Sequence, residues 1–326
     1  MLLNIFKINN YSASVYLLLF SFGLGLFAVN LGVDTAIFSN SVLSYFIGAI
    51  NFGILSKTGG IILLLINVLV FDLFISSQEI SEKTNHVPAL LLGVFLCYAI
   101  SQNPLHPILF GQLLVSGSMW CFLTVYKSDK ALSSIFNGAF CLSAASIFYP
   151  PYSVFIVLCF ICLFILLSFS LREWLLAIIG VVLPYFFYFS LLFLFDKDLQ
   201  QPVLNLINSF HPPSIPVYLK GSFLINFAVG FMAVFTLVFF LSKTVSNKIK
   251  AQKGFIIFLW MLVLSIPTWF IVSTGGAFSA SLSAMPLSVF CGIYLGSTKS
   301  LIFAELLLWF LLSMFIISML QQANVI

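Results

Sequence analysis

The chain has 326 residues, 62% of them hydrophobic and only 7% charged, with 13 Lys+Arg against 9 Asp+Glu and 39 Phe. Mean hydropathy is +1.18, where soluble domains carry about 45–50% apolar residues. So few polar groups cannot coat a water-soluble fold of this size. At about 20 apolar residues per spanning helix, eleven spans consume most of the chain. No separate soluble catalytic, nucleotide-binding or DNA-reading domain fits in what is left, and a nucleic-acid partner is excluded.

In chain order, the first apolar run is Tyr11 to Asn30, read as a retained anchor rather than a cleaved signal. Ser41–Leu55 is apolar but broken by Gly48, Asn51 and Gly53, which predicts a juxtamembrane helix at the interface. Spans are predicted over 59–76, 87–101, 107–126, 134–149, 152–170, 174–195, 222–242, 254–273, 280–296 and 300–320. The span 87–101 is short for a full crossing. Asn103-Pro104-Leu105-His106-Pro107 and Tyr149-Pro150-Pro151-Tyr152 predict tight helical hairpins, because proline ends a helix and restrains the residue before it. The whole is a single all-α membrane domain: a core over 1–195, an outer loop over 196–221 and C-terminal helices over 222–326.

Cations set the orientation. With the N-terminus cytoplasmic and Ser41–Leu55 not crossing, Lys7, Lys83, Lys127, Lys130, Arg172, Lys243, Lys248, Lys250, Lys253 and Lys299 lie inside. Only Lys57, Lys197 and Lys220 lie outside. The C-terminus is then outside, and the basic stretch Lys243–Lys253 is an orientation signal. The six cysteines, Cys159-x-x-Cys162 included, sit in apolar runs and predict packing residues, not a disulfide framework.

Charge inside a bilayer is a functional signal by default. Asp72 and Glu305 lie near cytoplasmic ends, where snorkelling or local pairing suffices. Mid-membrane acids, bases and histidines are missing from the reading, which disfavours a carboxylate-coupled pump. The outer rim carries the candidates. Asp34 follows the first span and is placed to act as a general base. Lys57, His211 and Lys220 are suited to phosphate, His106 sits in the second outer turn, and Tyr149 and Tyr152 sit in the third. Each has an ordinary reading as a wet-loop residue. Metalloprotease, serine-hydrolase and nucleotide-loop motifs do not occur, and neither a metal nor a cofactor is expected.

Two resemblances follow. Over roughly residues 1–195 the order of parts resembles multi-spanning (C-type) polyprenyl-phosphate-dependent glycosyltransferases. A first span leads to an acidic outer loop and a juxtamembrane helix. Then come the basic Lys127-Ser128-Asp129-Lys130, the small-residue stretch Asn137 to Ala145, the turn Phe148–Tyr152, and an apolar run to Leu171-Arg172-Glu173-Trp174. The resemblance implies that Asp34 is the catalytic base and that a polyprenyl-linked sugar is the donor. The sequence departs from the pattern in having Thr35 where a second acid is common, and in lacking an acid near the fourth span, where His106 and Gln112 stand. Asn4-Ile5-Phe6-Lys7, Phe148-Tyr149-Pro150-Pro151 and Arg172-Glu173-Trp174 with Gly180 and Pro184 are similar to an uncharacterised family of Bacteroidota inner-membrane proteins. That similarity implies a multi-pass protein of the bacterial inner membrane. The leading expectation is a glycosyltransferase-like protein of the outer face. The alternatives are a non-enzymatic subunit holding a membrane-protein partner in an envelope assembly and, third, a transporter or lipid flippase.

Overall fold

The computed structural model describes residues 6, 11–31, 53–78, 85–126, 131–167, 169–210, 230–232, 234, 249–271, 282–297 and 301–322. The described residues hold no strand. The helices are α1 (Tyr11–Leu31), α2 (Gly53–Ser77), α3 (Val87–Gln102), α4 (Pro107–Val125) and α5 (Ala131–Phe148). A 3-10 turn (Pro150–Phe155) then runs into α6 (Ile156–Leu166), followed by α7 (Leu171–Leu194) and α8 (Gln200–Ser209). The last three are α9 (Ile249–Ile271), α10 (Ala284–Ser297) and α11 (Leu301–Gln322). Seven helices are long and apolar enough to cross a membrane, and three apolar segments are shorter: Val87–Ser101, Pro150–Leu166 and Ala284–Gly296.

Three expectations change. Gly53–Leu55 is not the end of a separate juxtamembrane helix but the first turn of α2; residues 41–52 lie outside the described residues. The run 152–170 is not one continuous α-helix, because Pro150 and Pro151 force a 3-10 start and the helix stops at Leu166. The outer loop 196–221 contains a helix, α8. The run 222–242 is described only at 230–232 and 234, which are helical.

The spanning helices are apolar on every side, so sequence periodicity does not tell protein-facing from lipid-facing surface. Packing does. Helix α3 is surrounded by α1, α2, α10 and α11, and every side chain from Val87 to Ser101 is buried. Its 16 residues measure about 24 Å, less than the ~30 Å hydrocarbon layer. Sheathed in protein, it has no lipid thickness to match. Helix α7 is the opposite case, with Leu175, Ile179, Val182, Phe186, Phe187 and Leu194 all exposed, a face for lipid.

Two antiparallel contacts set the levels along the bundle. A Cβ on Gly25 of α1 would meet Leu64 and Ile61 of α2, and one on Gly93 of α3 would meet Val68 and Ser21. Helix α1 therefore climbs as α2 descends. The start of α2 reaches the α3–α4 turn, where Gly60 lies under Pro104 and Gly59 under Leu105. Leu31 and Gly53 thus both stand at the end of the bundle that holds this turn. The far end gathers Phe6, the close of α2 and the start of α3.

Helices α5 and α7 come together at Gly180, where a Cβ would lie 2.9 Å from both Ala139 Cβ and the Phe136 carbonyl oxygen. Pro184 breaks the hydrogen-bond ladder of α7. Alongside it, Ser143 Oγ donates to the Val181 carbonyl at 2.6 Å, and the Ser146 and Tyr185 hydroxyls share a hydrogen bond of 2.7 Å. Lys253 lies inside α9 rather than in a loop. Its Nζ donates to the Leu166 carbonyl at the end of α6 (3.3 Å) and sits 4.6 Å from the Tyr126 ring centroid, so it closes one helix and binds the face of a ring.

Candidate functional site

The α3–α4 turn is built by its own polar atoms. Asn103 Oδ1 accepts from the Leu105 amide (3.3 Å), and the Asn103 carbonyl accepts from the His106 amide (3.2 Å), an Asx-type turn. Pro107 opens α4 at a position where its missing N–H costs nothing. His106 is the N-cap, its Nδ1 accepting from the Ile108 amide at 3.1 Å. That bond requires a bare Nδ1 and leaves the ring proton on Nε2. Burial draws the imidazole pKa down from 6.5 to about 3, although the residue as a whole is only half-buried.

Three rings then run inward. His106 and Tyr149 meet edge to face at 6.0 Å, and Tyr149 and Tyr152 at 5.5 Å. Tyr149 is 6% exposed and Tyr152 is 0% exposed. The 3-10 turn sets their spacing, with the Tyr152 amide donating to the Tyr149 carbonyl (3.0 Å). Gly111 makes room, since a Cβ there would fall 2.6 Å from Tyr152 Cδ2. The Tyr152 hydroxyl donates to Gln112 Oε1 at 3.0 Å.

Gln112 is fully buried, and its Nε2 has no partner among the described residues. One turn back on α4, the Leu109 carbonyl accepts from Asn67 Nδ2 (3.1 Å), which also donates to the Leu63 carbonyl (2.8 Å). Asn67 Oδ1 lacks a partner in the same sense. Asn67 thus joins α2 to α4 one turn from Gln112.

Of the residues expected at a site, His106, Tyr149 and Tyr152 are brought together. Lys57 lies in α2 one turn before Gly60, at the same end, half-buried and engaged. Asp34, His211 and Lys220 lie outside the described residues. Both tyrosine rings are covered by packing.

Sequence reasoning passed over a pair at the far end. His86 Nδ1 and Asp72 Oδ1 are 2.7 Å apart, with the two side chains 9% and 8% exposed. Asp72 thus finds its local partner across the α2–α3 hairpin. The contact runs through Nδ1, so Nε2 is turned away from the pair. The His86 amide donates to the Phe6 carbonyl (3.1 Å), and Asn85 Nδ2 donates to the Gly292 carbonyl (2.7 Å). Four chain segments are fastened here. The signal was available: Asp72 and His86 stand seven residues either side of Glu79, where an antiparallel hairpin places them level. No cluster of three or more His, Cys, Asp or Glu able to hold a metal occurs among the described residues.

An all-helical bundle with membrane-length apolar helices, a sheathed central helix and polar groups gathered at its two ends defines an integral membrane protein. Within that class, residues 37–325 match a family of unknown function (DUF6427), and the chain belongs to it. No curated protein and no solved structure matches the chain.

Proposed function

We propose that this protein is a glycosyltransferase-like protein of the bacterial inner membrane, handling a polyprenyl-phosphate-linked sugar at the bundle end that carries His106, Tyr149 and Tyr152. One observation supports the reading: Leu31 and Gly53, which flank the segment holding Asp34, both stand at that end. The charge asymmetry of the loops assigns it to the outer face, with eleven spans and the N-terminus inside. The donor's lipid tail stays in the bilayer, Lys57 meets phosphate, and Asp34 takes the proton from the acceptor hydroxyl. Asp34→Asn is expected to abolish sugar transfer in membranes fed a polyprenyl-phosphate sugar, at unchanged expression. Full transfer by that variant sinks the assignment, as does a reporter fused near Phe38 that proves cytosolic.

The second reading, a non-enzymatic subunit of an envelope assembly, draws on Tyr152 and Gln112, which are wholly buried and bonded to each other. In this reading the end of the bundle is a rigid platform, Asp34 is dispensable, and mild detergent extraction brings down a stoichiometric membrane-protein partner.

A further inference from the structure

The chain leaves α7 through a built turn. The Phe195 amide donates to the Leu191 carbonyl (3.1 Å) and the Lys197 amide to the Leu192 carbonyl (2.9 Å). Asp196 between them has φ 50°. This is the six-to-one closure that ends many helices, with aspartate in the left-handed position that it tolerates better than most residues. Asp198 Oδ1 then accepts from the Gln200 amide at 2.8 Å and starts α8 at once.

Helix α8 has 10 residues, about 15 Å, half the length of a span. One side packs on the 3-10 turn Pro150–Phe155, beside the ring stack. Leu199, Val203 and Ile207 recur every four residues along one face and are 41%, 46% and 52% exposed, and Leu204 beside them is 45% exposed. Asn208 is also exposed, but off that stripe. An apolar stripe on a short polar helix calls for a cover.

What covers it follows from continuity. Leu191 and Leu194 of α7, a membrane-length helix, and Phe195 just past its end are exposed, and this lipid-facing surface runs into Leu199 with only the turn between. We propose that α8 lies in the plane of the membrane interface, with Leu199, Val203 and Ile207 set into the boundary between phospholipid headgroups and acyl chains. A helix too short to span, with an exposed apolar face and polar residues around the rest, is the form such monotopic contacts take. The helix then holds the adjacent aromatic turn at headgroup depth. The inference does not depend on any sugar chemistry.

The full chain is reconstituted in vesicles of phosphatidylethanolamine and phosphatidylglycerol, with its native cysteines replaced and a nitroxide attached at Val203→Cys, Ile207→Cys or Asn208→Cys. At the first two positions, collisions with oxygen are expected to exceed those with a water-soluble nickel chelate, and at Asn208→Cys the order inverts. Higher nickel than oxygen access at all three overturns the proposal in favour of a helix in water. Low access to both quenchers at Val203→Cys and Ile207→Cys overturns it in favour of a protein cover. Should the chain not tolerate loss of its cysteines, Ile207→Trp in the native background gives a second reading. The added fluorescence is expected to be quenched by lipids brominated near the headgroup and spared by iodide, and the reverse result refutes the interfacial placement.

Discussion

Tyr152→Phe removes one oxygen from a ring that is 0% exposed and leaves its packing against Gly111 in place. The consequence falls on Gln112. Its Nε2 has no partner among the described residues, and losing the Tyr152 hydroxyl strips its Oε1 as well. A buried polar group left unsatisfied costs about 1–3 kcal/mol, while replacing both partners by apolar groups of similar shape is close to neutral. Tyr152→Phe is expected to destabilise by about 1–3 kcal/mol, and Gln112→Leu by less, because it orphans the Tyr152 hydroxyl but removes the unpaired Nε2. The double variant is expected to lie nearer the wild type than the sum of the two, because no orphaned atom remains in it. The assay is the unfolding midpoint of purified protein in one detergent, followed by size-exclusion fluorescence across all four members of the cycle. Strict additivity, or a Tyr152→Phe variant as stable as the parent, refutes the bond as a structural element of this end of the bundle.

Acid should weaken the α3–α4 turn. His106 is drawn from 6.5 to about 3, so its neutral form contributes stability in full above pH 6.5, and that contribution drains away as pH falls from 6.5 toward 3. One proton is worth at most about 1.4 kcal/mol per pH unit, and because the unfolded imidazole is only half protonated at pH 6.5 the loss between pH 6.5 and 5.5 comes to about 1 kcal/mol. His106→Asn keeps a capping acceptor and removes the titration, so a pH series of unfolding midpoints should be flatter for it than for the parent. Asp72→Ala at the far end breaks a buried pair and is expected to cost about 3 kcal/mol; a double cycle with His86→Ala should return strong coupling, and midpoints that simply add would deny the contact. Gly111→Ala pushes a methyl into the Tyr152 ring and should cost about 1–3 kcal/mol, measured in the same melt. Lys253→Met keeps the stem but loses the donor to Leu166, and a lower midpoint in that variant is expected.

Legibility in the sequence followed the strength of the local signal. Proline carries its own geometry, so the chain reversals at Pro104–Pro107 and Pro150–Pro151 are legible in the sequence, but the 3-10 form of Pro150–Phe155 and the end of α6 at Leu166 are not. Hydropathy located the apolar runs but not their surroundings. Leu92 of α3 is 0% exposed and Leu194 of α7 is 73% exposed, although both lie in equally apolar stretches. In a membrane chain the lipid is as apolar as the protein core, so composition cannot tell which neighbour a leucine has. Helix α8 was hidden for the opposite reason. Its ten residues mix Gln, Asn and Pro with Val and Leu, and a window long enough to detect a span averages them away. The Asp72–His86 contact needed a pairing argument across a hairpin, since neither residue is unusual at the edge of a membrane segment.

The placement of polar groups bears on where this protein can move. Both ends of α3 are tied by side chains that leave the backbone little freedom: Asn103 and His106 at one end, Asn85 and His86 at the other. Between them the helix is closed in by α1, α2, α10 and α11. A rearrangement that tilted α3 would break bonds at both ends and open packing on every side, each change adding cost in a medium with no water to compensate. Among the described residues, helix α7 buries a single stripe, Ala177, Gly180, Pro184, Tyr188 and Leu192, and α8 rests on the 3-10 turn. Displacing these outer elements exposes more of their surface to lipid, which resembles the protein interior, so the penalty is far smaller.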